Sequence, residues 1–192
     1  NFEGMDISIE EVFEFSKKYN VPAKWRCDTR ADSLDEDIIK AMVDSNMGQM
    51  SIGIETSDEN ILKKIGKNET QKDFINAANL LNKYNVQWKA YMIIGFPYDT
   101  EESIRNSIKF VKNLNPFRIT LSFFTPYIGT LLYNETKKMG LITDDYDMSL
   151  ISHQSPHNYF CPSINKNRYL SIKNEISKEI DDYNKDALKI WH

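Results

Sequence analysis

The sequence predicts an α/β fold, a partial (β/α) TIM-like barrel of about four parallel strands with a long C-terminal helix. Three observations carry this expectation. Apolar strand-like runs alternate with amphipathic stretches of helical period along residues 1–142. The runs centre near positions 26, 51, 91 and 121, so the steps are about 25, 40 and 30 residues, the span of right-handed helical crossovers between parallel strands. Residues 143–192 then abandon that rhythm for an irregular stretch and one long amphipathic helix. Apolar residues make up 41% of the 192, enough for a full core without disulfides or metals.

The elements follow in order. Ser8 with Glu11 forms a capping box for a helix over 8–19, and Asn20-Val21-Pro22 stops it. A strand follows over 24–28. Asp35 and its neighbours open a second helix with Ile38, Ile39, Met42 and Val43 as its buried stripe, ended at 46–48. Residues 49–54 read as a buried strand with a close-packing glycine at 53. Ser57 caps a short helix broken at Gly66, and Thr70 caps a longer one. Residues 86–94 form a strand ended by Gly95-Phe96-Pro97, and Thr100 opens the next helix. A strand over 117–124 leads through 125–130 into a helix that reaches Lys138. The final helix, 168–190, places Tyr169, Ile172, Ile176, Ile180 and Tyr183 on one face, which packs across the sheet or the barrel's open side. Two units result: 1–142 as barrel and 143–192 as irregular segment plus helix. The chain begins on a helix, so its first strand has an exposed edge through which copies could associate.

Composition excludes several functions. Lys and Arg total 24 against 28 Asp and Glu, a net charge of −4 with no clear nucleic-acid footprint. There is no apolar run long enough to span a membrane and no signal peptide, so a cytoplasmic location is expected. The cysteines, Cys27 and Cys161, lie far apart without any CxxC or CxxxCxxC spacing, so this chain alone holds no thiolate-ligated cluster. A disulfide between them is not expected in a reducing compartment. His153 and His157 stand four apart, but Pro156 argues against the helix that would align them for a metal.

Parallel βα folds bind ligands at the carboxyl ends of their strands. Those ends carry Arg30, Glu55, Gly95-Phe96-Pro97 and Thr125-Pro126-Tyr127. Each has two readings. Arg30 either pairs with Asp28 or Asp32 or takes a ligand carboxylate. Glu55 follows an apolar strand and needs partners, which a nearby helix N-terminus or a ligand would supply. Lys67 is either solvated or a ligand contact, Phe96 fills the core or stacks on a ring, and Tyr127 is a surface aromatic or a second stacking face. Trp25 and Trp88 are packing residues within strands.

The strings SIGIETSDENILKKIGKNET, YMIIGFPYDTEESI and FTPYIGTLLY, in this order and with WRCDTRADSLDEDIIKAM ahead of them, resemble the radical S-adenosylmethionine (SAM) superfamily, in particular its methylthiotransferases and the Elongator catalytic subunit. The matching stretches run from about residue 24 to 142. The family's CxxxCxxC loop is absent, as is the strand after it, so the resemblance implies strands three to six of a six-stranded partial barrel, the C-terminal portion of a longer enzyme. It implies that the whole enzyme uses a [4Fe–4S] cluster to cleave SAM reductively, giving a 5′-deoxyadenosyl radical, as an oxidoreductase or methyltransferase. Many members also carry a cobalamin-binding domain, which adds cobalamin to the parent's expected cofactors. Carried over, Glu55 contacts the SAM ribose or amino group, and Lys67 stands near its carboxylate. Gly95, Phe96 and Pro97 line the adenine, Thr125, Pro126 and Tyr127 shape its other side, and Arg30 points toward SAM or substrate. No catalytic residue or metal ligand is assigned in this chain, which is inactive without the cluster loop. The substrate, small molecule, peptide or RNA, is not specified. Two other classes stay open: a non-radical (β/α) enzyme domain with a small-molecule site at the same mouth, and an interaction fragment using the C-terminal helix.

Overall fold

The computed structural model describes residues 14–15, 17–19, 24–143, 146–147, 149, 152, 155 and 157–188. One four-stranded sheet runs in the order β1 (Trp25–Thr29), β2 (Met47–Glu55), β3 (Trp88–Ile94), β4 (Arg118–Phe123), every neighbouring pair parallel. Sequential order with parallel pairing requires a crossover between each pair of strands, and helices supply it. They are α1 (Glu36–Asp44), α2 (Glu59–Lys64), α3 (Gln71–Lys83) and α4 (Glu101–Asn113). After β4 come α5 (Leu131–Lys138) and the 23-residue α6 (Lys166–Leu188).

The alternation of β3 defines the two faces. Trp88, Ala90, Met92 and Ile94 are fully buried, whereas Lys89, Tyr91 and Ile93 between them are partly open. The buried set packs in one core with Phe74, Ala77 and Leu81 of α3 and Ile104, Ile108 and Val111 of α4. Each such aliphatic or aromatic side chain contributes roughly 1.5–3 kcal/mol of transfer free energy. Residues in register share a face. The concave face opposite the helices is therefore built from Arg26 and Asp28, Gln49, Ser51 and Gly53, Lys89 and Tyr91, and Arg118 and Thr120.

Helix α6 packs on β4 and buries Tyr169, Ile172, Ile176 and Ile180 in that same core. At the outer edge of β4, the Asn184 amide takes the place of a neighbouring strand. Its Oδ1 accepts from Ile119 N at 2.9 Å, and its Nδ2 donates to Ile119 O at 2.8 Å. An exposed strand edge is a template for unwanted pairing, and this amide blunts it.

Local differences from the sequence reading have simple causes. Asp58, not Ser57, caps α2: its Oδ1 accepts from Asn60 N and Ile61 N at 2.9 and 3.1 Å. The backbone N–H of Ser57 turns inward to Ser107 Oγ, 2.9 Å away. β2 starts at Met47 because Asn46 alone makes the turn, at φ +68°. Val43 is exposed and Ile38 half-buried, so only Ile39 and Met42 of the expected stripe are buried. Of the expected helix 8–19, residues 14–15 and 17–19 are helical; the Ser8–Glu11 capping box lies outside the described residues. His153 lies outside them as well, and His157 sits in a turn. No described helix is long and apolar enough to cross a membrane.

Candidate functional site

All the strand-end residues fall on one rim, because parallel strands share their direction. The densest chemistry lies where β1 and β2 end. The β2–β3 register shifts between Gly53 and Glu55, and Glu55 takes φ +66°. That conformation costs a non-glycine residue about 1–2 kcal/mol. It turns the Glu55 carboxylate back over Gly53: a Cβ built on Gly53 would lie 2.5 Å from Glu55 Oε1 and 3.4 Å from Lys67 Nζ. The missing side chain is what lets a carboxylate and an ammonium share this space.

Lys67 reaches the site because Gly66, at φ +75°, turns the chain after α2. Its Nζ donates to Gly53 O and lies 2.9 Å from Glu69 Oε2. The Glu69 side chain has no solvent exposure; Oε1 accepts from Ala31 N at 2.7 Å. Its Oε2 is charge-paired but makes no well-aligned hydrogen bond. Arg30 forms a bidentate pair with Asp32 at 2.9 and 2.6 Å and holds Nη1 3.6 Å from Glu69 Oε2. Of the two partners expected for Arg30, the structure selects Asp32. Burial raises the Glu55 pKa against the opposing pull of Lys67, and Glu69 adds to the rise.

The ends of β3 and β4 are organised by a buried carboxylate. Asp99 Oδ2 accepts from Gly95 N and Phe96 N at 2.8 and 2.9 Å, and Oδ1 accepts from Ser103 Oγ at 2.8 Å. Burial pushes its pKa up to about 6, against these donors. Gly95, at φ +90°, lies under Tyr169 of α6; a Cβ there would overlap the tyrosine hydroxyl and stand 2.9 Å from its ring carbon Cζ. The Tyr98 hydroxyl donates to Glu135 of α5, tying two rim segments together; burial first, then that bond, raises its pKa to about 12. Asn158 Nδ2 donates to Phe124 O and to Thr125 Oγ1, each at 3.0 Å, and fixes the turn after β4.

The structure thus joins Arg30, Glu55 and Lys67 in one ionic cluster. It sets Gly95, Phe96, Pro97, Thr125 and Pro126 along the same rim. The Phe96 ring is buried beside Phe124, centroids 5.2 Å apart, in a cluster with Ile61, Ile142 and Phe160. Tyr127 is 54% exposed. The sequence singles out neither Glu69 nor Asp99, and Tyr169 only as one residue on the apolar face of the final helix. Asp99 had a signal there, an Asx residue just after Gly-Phe-Pro and before a helix cap. Glu69 and Tyr169 matter only through tertiary contacts. Both cysteines are free thiols. Burial, then Asp28, raises Cys27, and burial pushes Cys161 to about 12, so both are protonated thiols.

A family profile described as the Radical SAM superfamily matches residues 7–111, more than half of the chain. An uncharacterized methyltransferase of Pyrococcus horikoshii is 32% identical over 117 residues, covering 61% of this chain and 26% of that protein. The tRNA-2-methylthio-N(6)-dimethylallyladenosine synthase of Sulfurihydrogenibium sp. is 30% identical over 101 residues, 50% of this chain and 23% of that protein. The chain therefore spans about a quarter of the length of these relatives. Among solved structures, the archaeal Elp3 of Methanocaldococcus infernus aligns with a TM-score of 0.59 at 20% identity, covering 69% of this chain and 35% of that one.

Proposed function

Because the chain belongs to the radical SAM superfamily, we propose that its rim is one part of a SAM site, in an enzyme that couples a [4Fe–4S] cluster to reductive cleavage of SAM. The observation that supports this most is the trio above Gly53. Lys67 and Glu55 share the space of an absent side chain, beside a buried Glu69 whose Oε2 lacks a well-aligned donor. SAM carries an α-amino group, an α-carboxylate and a ribose diol, and these complement carboxylates and an ammonium.

Each residue then has a task. An ammonium has three N–H donors. Two of those on Lys67 face Gly53 O and Glu69, and the third takes the SAM carboxylate. Glu55 accepts from the ribose or amino group. The backbone of Gly95, Phe96 and Pro97, held by Asp99, lines the adenine; Thr125, Pro126 and Tyr127 form its other side. Arg30 anchors the cluster's outer end, toward SAM or substrate. Bound SAM supplies a hydrogen-abstracting radical, and the protein supplies orientation. The cluster's thiolates belong to a segment outside this chain, since Cys27 and Cys161 lack the CxxxCxxC spacing. The relatives' names favour methyl transfer or methylthiolation as the outcome.

Calorimetric titration with SAM tests the reading. The chain should bind weakly, and Glu55→Ala should cost a further 1–3 kcal/mol or so for a lost charged hydrogen bond. A CxxxCxxC motif should be encoded upstream, within roughly two βα units. A full-length protein, reconstituted anaerobically with iron and sulfide, that releases no 5′-deoxyadenosine from SAM and a reductant would overturn the proposal.

A further inference from the structure

The sheet face opposite the helices carries an excess of positive charge: Arg26, Lys89 and Arg118 against Asp28, with Asp181 of α6 lining the cavity beside Arg118. Asp28, Ser51, Lys89 and Arg118 form one continuous rung across all four strands. Arg26 lies on the same face, two residues before Asp28, in register with Gln49. Partial burial lowers the Lys89 pKa most, and Arg118 and Arg26 add to that as like charges against the opposing charge of Asp28. This sheet face therefore carries three cations and one carboxylate, with Arg118 three strands from Asp28. None of Arg26, Lys89 and Arg118 forms an ion pair within 4.0 Å among the described residues. Some other cations are paired, Arg105 with Glu101 and Glu175, Lys112 with Glu179 and Lys83 with Glu36; what sets these three apart is that strand register gathers them on one sheet face. Like charges on directly paired strand positions destabilise a sheet, and Lys89 and Arg118 are such a pair. An excess of this kind, on a face lined also by the Ser51, Tyr91 and Thr120 hydroxyls, marks a binding function.

We propose that this rung is an anion subsite: Arg26, Lys89 and Arg118, with the hydroxyls of Tyr91 and Thr120, take a phosphate or carboxylate group of a small-molecule substrate. Its assignment to the substrate rests on the SAM reading above, because Ser51 lies two residues, about 7 Å, below Gly53 along β2. A substrate anchored there by its anionic end would project toward the ligand at the rim. Arg118 and Thr120 also line a cavity of about 310 Å³ that opens along the β4 edge under α6, which gives the subsite a route to solvent. A small anion fits better than RNA, since the basic residues occupy one rung of a chain with net charge −4.

Titration calorimetry of the chain with inorganic pyrophosphate and, separately, with tricarballylate tests this and separates the two anion types. Saturable one-to-one binding of either is expected. Lys89→Met and Arg118→Met should each weaken it by about tenfold. Asp28→Asn should tighten it about threefold by removing the opposing charge, a gain that misfolding cannot mimic. No binding of either anion, or binding that these three variants leave unchanged, overturns the proposal. So does tighter binding of a single-stranded oligoribonucleotide with a steep salt dependence. Glu55→Gln separates the two readings, since it should weaken SAM and leave pyrophosphate untouched. An unchanged SAM affinity in Glu55→Gln with pyrophosphate binding intact defeats only the SAM reading, and absence of pyrophosphate and tricarballylate binding in a chain whose SAM affinity falls with Glu55→Gln defeats only this one.

Discussion

Asp99 holds the rim with a carboxylate that burial would rather keep protonated, and its two jobs separate by substitution. Asp99→Ala removes the acceptor of two buried backbone donors, Gly95 N and Phe96 N. Each orphaned donor costs about 1–3 kcal/mol, so with some relaxation the loss is about 2–4 kcal/mol, roughly 4–16 °C in Tm for a chain of this size. Asp99→Asn keeps an acceptor oxygen and removes the charge. The folded pKa of about 6 lies above the ordinary 3.8, so the native state holds this proton more tightly than the unfolded one. The group's contribution favours folding most below about pH 4 and is lost as pH rises to about 6, roughly 3 kcal/mol in all. Stability of Asp99→Asn relative to the parent should therefore improve by about 2–3 kcal/mol between pH 4 and pH 7. Urea unfolding of parent and both variants at several pH values measures this. A pH-independent difference between Asp99→Asn and parent, or an Asn variant as damaged as the Ala one, would refute the reasoning.

Four other outcomes are expected. Gly95→Ala should cost more than about 3 kcal/mol in chemical denaturation, from overlap with Tyr169 and a left-handed φ, and Tyr169→Phe should recover part of it. Lys67→Met should destabilise by about 3 kcal/mol by leaving Glu69 buried and short of its partner, and adding Glu69→Gln should restore most of that in a double-mutant cycle. Asn184→Ala should cost about 1–2 kcal/mol and produce concentration-dependent association in sedimentation experiments, because it unmasks the β4 edge at Ile119. Glu55→Gly should raise stability by about 1 kcal/mol through relief of its positive φ while weakening SAM binding in calorimetry.

The fold was readable because its signals are local. Thr70, Thr100 and Asp35 cap the helices expected of them, and Trp88, Ala90, Met92 and Ile94 of β3 are buried on the face that meets the helices. Ser57 failed as a cap because Ser107, some fifty positions on, claims its backbone N–H, a competition no local rule contains. The site was readable only in part. Glu55 announced itself as a charge after an apolar strand. Glu69 looked like an ordinary residue before a helix cap, and its burial depends on Ala31, 38 positions away. Phe96 had two readings in sequence, and its ring takes the core position beside Phe124 and Phe160. The cationic rung is invisible to composition, since net charge averages it away; only strand register puts Lys89 beside Arg118.

Several unfavourable features of this chain lie on the sheet face opposite the helices and its rim. Glu55 holds a left-handed backbone, Glu69 is a fully buried carboxylate, and Lys89 faces Arg118 as a like charge. Each opposes stability, and buried ion pairs do not repay their desolvation as well as apolar packing would. On the helix-covered face the strands meet α3, α4 and α6 mostly through Ile, Leu, Phe and Ala side chains, with Lys173 of α6 buried over Phe123 as the exception. A sequence under selection for folding alone would spread such costs or remove them. Their concentration on the concave face and its rim is the pattern expected when local strain and uncompensated charge serve a ligand. On the two proposals made above, the Glu55–Lys67–Glu69 cluster and the cationic rung are two ends of one binding surface, each retained at the expense of stability.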